Sequence, residues 1–285
     1  MNLNAINTNT KIMRFLNFIF LVFLSSHAIC QEKVDTTTFR DSSNFQIAIN
    51  YYQKKIETNK SDFENYYQLA CYYALKNNYD SSYNYLKNAI RKGAKGENIL
   101  TDTDFNTLKN NKKEWDIIED LLKLQYQERN PNISNLDLGY ELWLMWIEDQ
   151  RYRTLGKNYK LKDKPNISMN EHYQRVKRLK EIIKESGWPK YSEVGIEAGD
   201  AVFYVFQHHQ PKEMKKVLPI FIEAGKIGEA DMGKVAMMID RYLSFTENVQ
   251  IYGSQVHKEI KKGQSFNDIK SELYPIADEE NMNRR

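Results

Sequence analysis

Glycine and proline, the residues that most often interrupt regular structure, are scarce in this chain. Its 285 residues include 12 glycines and 6 prolines, about half the share that is usual in globular proteins. Few turns are therefore encoded, and apolar residues recur at three- and four-residue spacing along most of the chain. We expect an all-α fold in which a short array of helical hairpins packs against a multi-helix C-terminal domain.

The charge balance argues against one class of partner. The chain has 41 Lys and Arg against 38 Asp and Glu residues, a net charge of +3. Proteins that bind nucleic acids through phosphate contacts usually carry a strongly basic surface. We therefore expect no nucleic-acid partner.

Residues 1–30 have the pattern of a secretory signal peptide. Lys11 and Arg14 precede an apolar run, 15–24, that small residues follow. This run is about half as long as a membrane-spanning helix needs to be, so a retained anchor is the less favoured interpretation. Cleavage after Cys30 would release an exported protein, periplasmic or secreted. Met13 is an alternative start, because the residues before it add nothing that such a signal needs.

The two cysteines limit which lipid modification, disulfide and metal site can be expected. Lipidation of Cys30 would give a membrane-anchored lipoprotein, although Ile29 and His27 stand where such signals carry a small residue and Leu. Contact with a membrane is expected only in that case. If the signal peptide is removed, Cys71 has no internal disulfide partner, and we expect it to be a buried small hydrophobe. No cysteine pair or HExxH motif indicates a metal site, and no cofactor is expected.

Residues 63–96 have the pattern of two antiparallel helices. Ala70 and Ser82 are small residues that would let the helices approach, and the residues 76–78 between them predict a turn. Larger residues three and four positions away would fill the space beside that contact. These are Tyr66 and Tyr73 on the first helix, and Tyr79 and Leu86 on the second, and the apolar pattern of the two helices also includes Leu69 and Ala89.

This spacing resembles the tetratricopeptide repeat, a helical hairpin of thirty-four residues. Ala94 replaces the proline of the repeat signature, and a second helix of a preceding repeat is expected over 45–57. Beyond 96 the pattern weakens, because Asp102 and Asp104 stand where a repeat has packing residues. We expect a capping arrangement there, and a repeat module over about 40–128.

The tyrosines of this module allow two interpretations. Tyr66, Tyr73 and Tyr79 would line a concave groove that binds a peptide, or they would form the core and rim of the repeat itself. The first interpretation predicts a protein-interaction or scaffold protein with an unidentified protein or peptide partner.

The chain over 136–285 predicts further helices and carries polar residues among them. Asp149 and Arg153, four residues apart on an apolar face, are typical of a buried ion pair. A helix over 194–209 would point His208 toward the interior. Helical periodicity ends near Gln250.

Several short motifs in this half resemble those of an uncharacterised bacterial domain family of unknown function. The family motifs read DQxxR, GWP, QHAD, DR, QxYGTQ and PIxD. In this chain they correspond to Asp149-Gln150 with Arg153, Gly187-Trp188-Pro189, Gln207-His208, Asp240-Arg241, Gln250 with Tyr252, Gly253 and Gln255, and Pro275-Ile276 with Asp278. The chain has His209-Gln210 in place of Ala-Asp, so the carboxylate expected beside His208 is missing. The resemblance implies a fold and a set of positions, but no activity.

These positions suggest a site if they converge in one cleft. His208 would be a general base oriented by Asp240, with Arg241 as a third catalytic residue. The ligand-binding candidates are Asp149, Gln150, Arg153, Gln207, Gln250, Tyr252 and Gln255. The competing interpretation is a buried hydrogen-bond network that holds helices together.

Two functions therefore follow from the sequence. The leading hypothesis is an exported interaction or scaffold protein. The alternative is a periplasmic enzyme, for example a hydrolase, or a binder of a small polar ligand, that uses His208, Asp240 and Arg241.

Overall fold

The computed structural model of the chain describes residues 44–158, 169–258 and 271–277, with side chains for 44–151, 170–256 and 273–277. Several predicted features lie outside these residues: the signal peptide over 1–30 with Cys30, the alternative start at Met13, and Asp278. The side chain of Arg153 also lies outside them. Among the residues described, no helix has the length and hydropathy that crossing a bilayer requires.

The described residues form eleven α-helices and one small sheet, which confirms the all-α prediction apart from the sheet. Helices α1 to α5 are Phe45–Thr58, Phe63–Leu75, Tyr79–Arg91, Gly96–Thr101 and Lys112–Arg129. Helices α6 to α11 are Leu136–Asn158, Met169–Ser186, Tyr191–Val194, Ile196–Phe206, Pro211–Lys226 and Met232–Thr246. Strands β1, Val256–Lys258, and β2, Ser271–Leu273, pair antiparallel, with Val256 opposite Leu273.

Helices α2 and α3 form the hairpin that the small residues predict. The Ser82 hydroxyl donates to the Ala70 carbonyl at 2.7 Å, and both residues are fully buried. The turn falls at the predicted place: Asn77 has a positive φ of 59°, a conformation that asparagine tolerates. Asn78 then begins α3 as an N-cap, because its side chain accepts from the Ser81 amide.

Irregular structure follows this hairpin. Helix α4 leads into two 3-10 turns, Thr103–Phe105 and Leu108–Asn110, before the long helix α5. Apolar residues of this stretch and of the first half of α5 are buried: Leu100, Phe105, Leu108, Trp115, Ile118 and Leu122.

The hydrophobic core runs without interruption from α2 and α3 into the C-terminal helices. Tyr126, at the end of α5, joins the two parts: its ring lies 5.4 Å from that of Trp143 on α6, and its hydroxyl donates to the Val194 carbonyl. Gly139 on α6 passes so close that an added Cβ would lie 2.8 Å from the Val194 oxygen. Helices α2 and α3 therefore share their core with the C-terminal helices.

One predicted helix differs from the structure. The helix expected over 194–209 is two helices, α8 and α9, and the second ends at Phe206. Gly195 separates them with φ 85° and ψ 160°, a conformation essentially restricted to glycine. Because α10 begins at Pro211, the residues 207–210 form a turn. His208 lies in this turn and is half-buried. It is therefore not part of the predicted helix face that would point toward the interior.

Candidate functional site

Asp240 is the centre of the predicted constellation in the C-terminal part. It lies on α11 and is fully buried. One carboxylate oxygen accepts from the amides of Ile251 at 2.7 Å and Tyr252 at 2.9 Å. The other accepts from the amide and hydroxyl of Ser254, at 2.9 and 2.8 Å. A buried carboxylate is tolerated when hydrogen bonds replace its hydration, and here they tie the loop 250–255 to α11.

Gln250 performs a similar role on the other side of this loop. It is fully buried, its Nε2 donates to the Tyr274 carbonyl at 2.7 Å, and its Oε1 accepts from the Gln255 amide at 2.8 Å. The main chain of Gln250 also bonds to Pro275 and Ala277. Gln250 therefore holds the segment 274–277 against the loop.

Arg241 connects the loop to the end of α9. Its Nε donates to the Gln207 carbonyl, and its Nη1 lies 3.4 Å from Gln255 Oε1. The guanidinium also lies 5.3 Å from the ring centre of Phe245. Tyr252 contributes only its main chain to this arrangement, and its ring is half-exposed.

The predicted pairing of His208 with Asp240 is not formed. All four hydrogen bonds of the Asp240 carboxylate come from Ile251, Tyr252 and Ser254. The carboxylate therefore has no position left from which to orient an imidazole.

Asp149 and Gln150 lie on α6, in a different environment. Asp149 is buried and accepts from Gln150 Nε2 at 3.0 Å. Gln150 lines a pocket of about 180 Å³ together with Glu97, Thr101 and other residues of α4 and α6, none of which belongs to the loop 250–255. The candidates thus fall into two groups: Gln207, Asp240, Arg241, Gln250, Tyr252 and Gln255 in one, and Asp149 and Gln150 in the other.

The residues of the GWP motif also have a structural role. Gly187 ends α7 with a positive φ of 80°. Trp188 is buried and stacks on Phe221 of α10, with ring centres 4.0 Å apart. Gly187 therefore ends a helix, and Trp188 is a core residue.

A cluster that the sequence did not indicate lies where α2 meets the residues that follow α4. Cys71, Asp102 and Asp104 bring their possible ligand atoms within 4.8 Å of one another, a spacing that a metal ion could bridge. Asp102 already accepts from the Tyr67 hydroxyl at 2.6 Å and from the Asp104 amide at 2.9 Å, and Cys71 Sγ lies 3.8 Å away. Burial, reinforced by Cys71 and Asp102, raises the pKa of Tyr67 well above its usual value, so the phenol remains a donor. Asp102 and Cys71 are 31 positions apart, and no local motif reveals the contact.

Histidines form a second unpredicted group where α7 meets the turn 207–210. The ring of His209 lies 5.3 Å from that of His172 and 5.5 Å from that of Tyr173. Burial lowers the pKa of His209, Lys180 adds to this effect, and Glu213 opposes it. One sequence signal existed: His172 begins the buried stripe that continues with Val176, Leu179 and Ile182 of α7.

The tyrosines of α2 and α3 are only partly where the groove hypothesis puts them. Tyr73 and Tyr85 stack in parallel, with ring centres 5.3 Å apart and planes at 7°, and Tyr66 lies 6.3 Å from Tyr85. We call these three residues the tyrosine face. Tyr79 is not part of it, and its hydroxyl donates to the Asn77 side chain.

Comparison of the chain with family models, curated proteins and solved structures gives no match. The resemblances to the tetratricopeptide repeat and to the bacterial domain family therefore stay predictions.

Proposed function

We propose that this protein is an exported interaction or scaffold protein that binds a protein or peptide partner at the tyrosine face. The observation that carries the proposal is the parallel stack of Tyr73 and Tyr85 on adjacent helices, with both rings half-buried. Tyrosine is enriched in protein interfaces, because it offers a large amphipathic surface and loses little side-chain entropy on binding.

The surroundings of these rings support a fixed binding surface. Gln53 on α1 donates to the Tyr73 hydroxyl at 3.1 Å, and burial raises the pKa of Tyr73, so the phenol stays neutral. Lys92 places its ammonium 4.8 Å from the ring centre of Tyr66. The surface thus combines ordered aromatic rings with a cation and hydroxyl groups at the edge.

The alternative enzyme function receives less support from the geometry. The side-chain polar atoms of Asp240, predicted to be catalytic, and of Gln250, predicted to bind a ligand, are hydrogen-bonded to main-chain groups of the C-terminal segments and to the Ser254 hydroxyl. We therefore favour the interaction function.

Site-specific photo-crosslinking in the source cells tests this proposal. We expect a photo-reactive residue at the exposed position of Lys92 to trap one defined polypeptide, and the same residue at Lys215, exposed on α10, to trap none. The double variant Tyr73→Ala/Tyr85→Ala should lose the product, whereas His208→Ala should keep it. Circular dichroism of the purified variants checks that both remain folded.

The reverse pattern would overturn the proposal. If position 92 yields no product, or if a product survives in the folded double variant, the tyrosine face is not the binding surface. Loss of the product in the folded His208→Ala variant would indicate that the partner binds at the C-terminal part instead.

A further inference from the structure

A groove lies between α7 and the turn 207–210, away from the loop 250–255. Its volume is about 460 Å³, within the range of pockets for small molecules. Tyr173 and His209 form one end, Val176 contributes an apolar wall, and three lysines of α7 line the rest. We call it the lysine groove.

The lysine groove carries an excess of positive charge. Lys177, Lys180 and Lys184 are spaced by three and four residues, so they share one face of α7. Lys180 lies 2.8 Å from Glu213, which also binds Lys216 at 3.0 Å. Among the described residues, Lys177 and Lys184 have no acidic partner. An anion in the groove would supply one.

Glu181 is the acidic residue that lines the groove, and it offsets only part of this charge. Among the described residues, its ion-pair partner is Arg178, 3.8 Å away on the same helix. Within the described part of the chain, two ammonium groups without an ion-pair partner therefore stand beside one partly paired acid, which leaves the groove with a net positive charge.

The aromatic end of the groove suits a planar ring. Tyr173 is 47% exposed, and its ring stands at 82° to that of His209. Because burial lowers the pKa of His209, the imidazole is neutral near pH 7 and offers an uncharged ring surface. An edge-to-face pair with one open ring face can stack a third ring.

We infer that the lysine groove binds a small anion that carries a planar ring, such as an aryl phosphate, with the ring against Tyr173 and the anionic group between Lys177 and Lys184. This site is independent of the tyrosine face, and it uses none of the residues predicted from the sequence motifs.

Binding of phenyl phosphate and of inorganic phosphate to the full chain, followed by ³¹P NMR relaxation, tests the inference. We expect phenyl phosphate to bind about tenfold more tightly than inorganic phosphate, because only the former uses the aromatic end. The double variant Lys177→Gln/Lys184→Gln should weaken phenyl phosphate binding by about tenfold. Lys113→Gln, which removes an exposed lysine on α5, should leave it unchanged.

A second variant separates the contributions of ring and charge. Tyr173→Ala should reduce the affinity for phenyl phosphate to that for inorganic phosphate, while inorganic phosphate binding stays as in the parent chain. The inference is wrong if phenyl phosphate does not bind, if both phosphates bind equally to the parent chain, or if the double variant binds phenyl phosphate as the parent chain does. The substituted residues are all exposed, so each variant is expected to fold, which circular dichroism checks.

Discussion

At the scale of single residues, the environment of a polar side chain decides what it does. Asp240 and His208 have the types expected of a catalytic pair, yet Asp240 lies in the core with four donors around it. Lys177 and Lys184 belong to a charged helix face of an ordinary kind, yet they border a groove. The residue type limits which contacts and reactions a side chain can take part in, and its neighbours determine which of these occurs.

Replacing Asp240 by Asn should destabilise the fold. The buried amide NH₂ would face N–H donors, either that of Ser254 or those of Ile251 and Tyr252, so the NH₂ and the donors opposite it would lack partners. We expect the free energy of unfolding to fall by about 2–3 kcal/mol in urea denaturation. Asp137→Asn, at a carboxylate that is largely exposed, should change it by less than about 1 kcal/mol. Equal stability of the two variants would contradict the structural role of Asp240.

Glu213 should contribute to stability in a pH-dependent way. The ion pair with Lys180, assisted by Lys216, holds the pKa of this half-buried carboxyl below its usual value. The unfolded chain therefore binds a proton more readily, and the contribution is present above the unfolded-state pKa and lost as pH falls through the lower folded-state pKa.

Thermal unfolding of Glu213→Gln measures this contribution. We expect the variant to melt below the parent chain at pH 7, and the difference to shrink toward zero at about pH 3. Glu223→Gln, at an exposed carboxylate of the same helix, should melt close to the parent chain at both pH values. A difference for Glu213→Gln that is the same at both pH values would show that the ion pair does not cause it.

At the scale of elements, tertiary contacts adjust where helices begin and end. The α8–α9 break at Gly195 is the clearest case, because the flanking sequence continues a helical pattern. An added Cβ there would lie 2.6 Å from Asn130 Oδ1 and 3.0 Å from the Tyr126 hydroxyl. Glycine is needed at this position both for its backbone conformation and for the close approach of α5.

Gly195→Ala should therefore cost more stability than an ordinary glycine substitution at positive φ. We expect a loss of about 3 kcal/mol or more, from backbone strain together with the clash. Gly228 also has a positive φ, 78°, but no atom lies within 4 Å of an added Cβ, so Gly228→Ala should cost only about 1 kcal/mol. Urea denaturation compares the two, and equal losses would show that the contact with α5 is unimportant.

At the scale of the whole molecule, the continuous core joins the hairpin of α2 and α3 to the C-terminal helices. A short array of helical repeats, which the sequence pattern predicts here, usually needs about three units to be stable. Here α5 and α6 supply the missing contacts through Tyr126 and Trp143. We expect the two parts to unfold together.

Matched cavity variants in the two parts test this cooperativity. Leu86 on α3 and Leu179 on α7 are both fully buried, and each Leu→Ala change should cost about 2–5 kcal/mol. Each variant should shift one single calorimetric transition as a whole. Two transitions, of which Leu86→Ala moves only one, would show that the parts unfold independently.

The sequence alone determined those features that depend on local spacing. The Ala70–Ser82 contact, the turn at 76–78, the buried stripe of α5 and the helix stop at Gly187 all follow from residues a few positions apart, because helical periodicity and turn chemistry act over that range. The helical fold was predictable for this reason, and the small sheet was not, because its strands are three residues long.

Only the tertiary structure determined which partners the polar side chains bind. Asp240 binds residues 11 to 14 positions away, Arg241 binds Gln207 34 positions away, and Tyr67 meets Asp102 across 35. The lysine groove likewise needs α7 beside the turn 207–210. Such contacts depend on how the helices pack against one another, and the whole core determines that packing. The sequence pattern indicates only which face of each helix belongs to the core.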